Sequence, residues 1–83
     1  MIPKNYTDKP TEKLKEKYLA EDSIKKKHVL LNKYLANRVR TFQNMMNDEY
    51  VMDYYASELV VELLQDLEMA SEHIKLTYPN IMN

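Results

Sequence analysis

Glycine and cysteine are both absent from these 83 residues. Without glycine no position takes a left-handed backbone at low cost, which argues against tight hairpin turns and phosphate-cradling loops. Without cysteine there is no disulfide framework, no thiolate metal site and no cysteine nucleophile, and a reducing compartment is the natural setting. Proline occurs only at Pro3, Pro10 and Pro79, so none interrupts a long helix between the last two. No apolar stretch approaches the ~20 residues of a membrane span, and the opening MIPKNYTDKP lacks the apolar core of a signal peptide. Together these absences predict a cytoplasmic, soluble, all-α protein.

Charge is present in quantity but unevenly placed. Residues 1–40 carry 11 Lys and Arg against 5 Asp and Glu, whereas residues 41–83 carry one against eight, so a net charge of −1 conceals a basic front and an acidic back. Halves of this kind attract each other within one fold or serve separate partners.

Apolar spacing supplies the architecture. Ile24, His28, Leu31, Leu35, Val39, Phe42 and Met46 recur in steps of three and four, and Met52, Ala56, Leu59, Leu63, Leu67, Ala70 and Ile74 repeat the same steps. Each set is the stripe of an amphipathic helix. The break at NMMNDE, with Asn47 as an N-cap, turns the two helices into an antiparallel hairpin spanning about 23–46 and 48–76. Folding back around residue 49 sets opposite each other the residues whose numbers add to 98, so that Leu35 faces Leu63 and His28 faces Ala70. Arg38 then lies beside Glu58 and Glu62. Thr11 caps a short N-terminal helix at about 11–21, presenting Leu14, Tyr18 and Leu19. Residues 1–10 are expected to be extended or disordered, and 11–83 to form one domain.

Eleven of the fifteen residues from Tyr50 to Leu64 are apolar, too many for a helix that packs on one side only. The surplus flank, Val60 and Leu64 against Val29, Ala36 and Gln43, calls for a cover: the N-terminal helix, a second copy forming a dimeric helical bundle, or both. A monomer this small buries only roughly 60–65% of its unfolded surface, which also favours a homodimer.

The candidate sites weigh toward binding. Tyr50, Tyr54, Val60, Val61 and Leu64 are the expected partner-binding residues, since tyrosine and exposed aliphatic side chains mark protein interfaces. Lys26, Lys33 and Arg40 recur every seven residues as an outward basic row, the basis of an alternative reading as a nucleic-acid-binding accessory protein. The acidic second half and a sequence pI near 6.1 weigh against it. Glu62, Asp66 and His73 share a flank, but no Glu-x-x-His pair faces another, so neither metal nor cofactor is expected. The serines look like caps and the carboxylates of the last helix look solvent-facing, so no catalytic residue is expected. The function predicted is a small non-enzymatic regulator, inhibitor or scaffold. In composition the chain resembles small accessory proteins of low-GC bacteria and their phages, a likeness that assigns no residue a role.

Overall fold

The computed structural model describes Tyr6 and residues 8–78, and three helices make up nearly all of them: α1 (Lys9–Ala20), α2 (Ile24–Met46) and α3 (Glu49–Thr77). Helix α1 packs on α2, and α2 on α3. This is the hairpin with a shorter N-terminal helix that the spacing predicts. Of the segment 1–10 expected to be extended or disordered, residues 1–5 and 7 lie outside the described residues, whereas Lys9 and Pro10 form the first turn of α1.

The helix ends differ from expectation in two places, each for a local reason. Asp8 rather than Thr11 occupies the N-cap of α1, with Pro10 in the first turn, where its missing N–H breaks no helical hydrogen bond. Thr11 instead donates its hydroxyl to Asp8 Oδ2 at 2.7 Å. Asn47 closes α2, its N–H bonded to Gln43 O, and Asp48 caps α3 by accepting from the backbone N–H groups of Tyr50 and Val51. The Tyr6 hydroxyl also donates to Asp48, at 2.6 Å, and these hydrogen bonds hold the Asp48 carboxyl below its ordinary range. Ser23 caps α2, as the break at Glu21-Asp22-Ser23 implies, accepting from Lys26 N. No described residue has positive φ, so the chain turns twice without any position that favours glycine.

The buried stripes are rotated from those expected. In α2 the buried side chains are Leu31, Tyr34, Phe42 and Met45, and in α3 Val51, Leu59, Asp66 and His73. At about 100° per residue this turns the buried sector by roughly 60° in α2 and roughly 75° in α3 from the aliphatic stripe. The cause is α1, which lies against the flank carrying Tyr34, Arg38 and Asp66 and draws the core toward itself. It does not cover the flank of Val60 and Leu64, as one of the expectations had it. The register shifts slightly with the rotation: contacting pairs have numbers adding to 100 or 101 rather than 98, as in Tyr34–Asp66 and His28–His73. His28 therefore meets His73, not Ala70.

Two small apolar clusters result. Phe42, Met45, Val51 and Leu59 fill the end near the α2–α3 turn, with Tyr6, Tyr55 and Leu63 around them. Tyr18, Leu31 and Tyr34 fill the other end, with Leu14, Leu30, Leu35 and Met69. Helix α1 lies on one broad side of the hairpin only, and on the other side Val39, Val60, Leu64 and Leu67 are exposed among the described residues.

Candidate functional site

Between the two apolar clusters the three helices meet in a polar layer. Arg38 of α2 donates from Nε to Asp66 Oδ2 at 2.8 Å and from Nη2 to Glu62 Oε1 at 3.4 Å, while its guanidinium lies 4.5 Å from the Phe42 ring centre. Tyr34 donates its hydroxyl to the other Asp66 oxygen at 2.7 Å. Burial, then the bond to Asp66, raises the Tyr34 pKa well above its usual value. For Arg38 burial acts to lower the pKa, but the hydrogen bond and charge of Asp66 outweigh it and keep the guanidinium charged. The expected neighbour Glu62 is thus present, but the principal partner is Asp66, which is buried rather than solvent-facing. Asn37 reaches across to the Thr11 hydroxyl, fastening α1 to this layer.

A second polar cluster sits where the end of α1 meets α2 and α3. His73, only 4% exposed, contacts the Tyr18 hydroxyl through Nδ1 at 3.2 Å and His28 Nδ1 through Nε2 at 3.3 Å. Lys27 donates to the Tyr18 carbonyl at 2.6 Å and lies over its ring. Burial, reinforced by His28 and Lys27, pushes the His73 pKa below its ordinary 6.5.

The cleft over the Arg38 layer measures about 330 Å³ and is rimmed by Asp8, Glu12, Lys15 and Glu16. Every buried side-chain nitrogen or oxygen among the described residues already has a partner. Among those residues no three His, Asp or Glu converge to hold a metal ion. Both polar clusters therefore join helices to one another and leave no group aimed at a ligand.

The opposite side of the hairpin is different in kind. Ile24, Val39 and Met46 of α2 are exposed there, as are Met52, Val60, Leu64, Leu67 and Ile74 of α3, with Val39 at 55% and Leu67 at 63%. Isolated exposed apolar residues are ordinary, but a contiguous set running the length of two helices marks an interaction surface. By helical position, Glu49 and Asp53 are the only Asp, Glu, Lys or Arg residues in this sector of the two helices.

All five residues expected to bind a partner are exposed on the outer side of α3. Val60 and Leu64 border the uncharged face. Tyr50, Tyr54 and Val61 turn farther round the helix, where the Tyr50 and Tyr54 rings lie 5.0 Å apart. Lys26, Lys33 and Arg40 are likewise exposed, along the edge of α2 away from α3. Sequence spacing missed Tyr34, and it singled out Tyr18 and Asp66 without their partners, since polar letters inside a stripe carry no signal of mutual pairing.

No family model, curated protein or solved structure matches this chain. No helix among the described residues is long and apolar enough to cross a membrane.

Proposed function

We propose that this chain is a non-enzymatic protein-binding module, acting as a regulator, inhibitor or scaffold, that docks its uncharged α2–α3 face onto another protein. The observation that carries the reading is the face itself: eight large apolar side chains on two helices with two carboxylates among them, Glu49 at the start of α3 and Asp53. Burying such a surface against a protein of like character is favourable at roughly 25 cal/mol per Å² of apolar area, the same force that assembles a core. Val60 and Leu64 belong to this docking surface, and the tyrosine patch of Tyr50 and Tyr54 extends its border.

The test is site-specific photocrosslinking in the cell that makes the protein, with a benzophenone side chain at Leu67 or, separately, at Lys33. A protein adduct from position 67 supports the reading, and its absence under conditions where the chain is abundant overturns it. A second reading, nucleic-acid binding, rests on the unobstructed row of Lys26, Lys33 and Arg40. It predicts nucleic-acid adducts from position 33 and binding of labelled DNA or RNA that falls steeply with salt.

A further inference from the structure

We infer that the occupant of the uncharged face is a second copy of this chain, stacked face to face so that α2 of each copy lies antiparallel along α3 of the other. The inference rests on the docking reading above and names its partner.

Three observations select a second copy over an unrelated protein. The first is area. The chain of 9.9 kDa exposes 6293 Å², where a compact monomer of that mass exposes about 5200 Å². The surplus over the whole chain, its ends included, is roughly 1000 Å², so burying the roughly 800 Å² that one partner contributes to a standard interface leaves the chain as compact as a monomer of its mass. The second is the character of the face. A surface two helices wide and almost without charge is complemented by another surface two helices wide and almost without charge, and this chain supplies one. A two-fold axis lying in the interface and parallel to the helices brings the two faces together with every neighbouring pair of helices antiparallel, the arrangement of a four-helix bundle.

The third is charge at the rim. Helix α2 carries Lys25, Lys26, Lys27, Lys33, Arg38 and Arg40 and no carboxylate, whereas α3 carries seven carboxylates and Lys75. The basic row of α2 lies on the edge away from α3, and the outer edge of α3 carries Glu68 and Glu72, with Lys75 beside them ion-paired to Glu72. The proposed axis sets the basic edge of each copy over the acidic edge of the other. With the observed register retained, Lys33 of one copy is level with Glu68 of the second. An axis perpendicular to the helices would instead set α2 against α2 and stack like charges. The row of lysines is then neither a phosphate grip nor an idle face, but the rim that orients the dimer.

Sedimentation equilibrium on the purified full chain at micromolar concentration tests the inference. A dimer is expected for the wild type, and a monomer of unchanged helix content for Val39→Glu/Leu67→Glu, whose positions are exposed within one copy. Lys33→Glu should weaken the dimer several-fold, and Lys33→Glu/Glu68→Lys should restore it. Because the chain has no cysteine, mixing Val39→Cys with Val60→Cys chains gives an independent reading: mixed disulfide between the two variants is expected. A wild type that stays monomeric overturns the inference, as does a dimer unaffected by both glutamates. A monomeric wild type combined with a foreign protein crosslinked to Leu67 leaves the docking reading standing and removes only the second copy. No adduct and no dimer remove both.

Discussion

The two broad sides of the α2–α3 hairpin solve opposite problems. Beneath α1 the hairpin buries Tyr34, Arg38, Asp66 and His73, and each of these polar groups is matched to another. On the other side it presents Val39, Leu67, Ile74 and their neighbours to solvent, with no other described residue over them. A designer starting from hydropathy would exchange the two. The difference teaches that the covered side is made specific by hydrogen-bond geometry, which only one arrangement of three helices satisfies, while the bare side holds back the apolar area that drives association. Buried ion pairs contribute little net stability but penalise every arrangement that separates them.

The comparison can be broken most forcefully at Asp66. Asp66→Ala leaves Arg38 and the Tyr34 hydroxyl without their shared acceptor, and a loss of about 3–5 kcal/mol is expected. In a domain whose whole stability is on the order of 5–15 kcal/mol, that change severely depletes or abolishes the folded state, as urea titration followed by circular dichroism would reveal. A variant with wild-type stability would mean the polar layer is ornamental.

Contrasting leucines sharpen the same point. Leu59→Ala, at a position 3% exposed, should cost about 2–5 kcal/mol. Leu67→Ala should change the stability of the isolated monomer by no more than about 0.5 kcal/mol, yet lower a concentration-dependent melting temperature if its face is occupied. Equal effects of the two at high dilution would erase the distinction between the sides.

A smaller effect is expected from acid. His73 binds its proton less readily in the folded chain than in the unfolded one, whose value is near 6.5. Its contribution is complete above that value and declines as the pH falls below it toward the folded-state value, because the unfolded chain then binds the extra proton. The urea midpoint should drop on acidification from pH 7.5 to 5.5, and His73→Gln should flatten that slope. A midpoint indifferent to pH in this window would contradict the burial of a neutral His73 in this cluster. Smallest of all, Lys33→Glu should alter monomer stability by at most about 0.5 kcal/mol, measured by thermal melting at high dilution.

Much of this could be read from the letters. The three helices follow from apolar spacing, and the surplus of apolar residues between Tyr50 and Leu64 announces an unfilled surface that includes Val60 and Leu64. The rotation of the core could not be read. Aliphatic periodicity sums over residues one at a time, whereas Tyr34, Arg38 and Asp66 become core residues only as a set, once α1 and Asn37 have closed the side of the layer. The position of α1 was hidden for the same reason. Its buried residues are Thr11 and Tyr18, and both point to polar partners rather than to an aliphatic groove.

The turns at Glu21-Asp22-Ser23 and Asn47-Asp48, built without a single positive φ, carry a consequence for descent rather than for folding. Where a fold relies on left-handed glycines, those positions stay fixed while the rest of the chain varies, and distant cousins keep a skeleton of recognisable letters. Here the described backbone asks for no particular residue anywhere. Any L-amino acid other than proline is sterically admissible at these corners, and helix propensities differ by less than about 1 kcal/mol among ordinary residues. A lineage of such chains can replace the letters of its turns and exposed positions almost freely while its three rods stay in place, so kinship among its members would persist in shape after it had faded from much of the spelling.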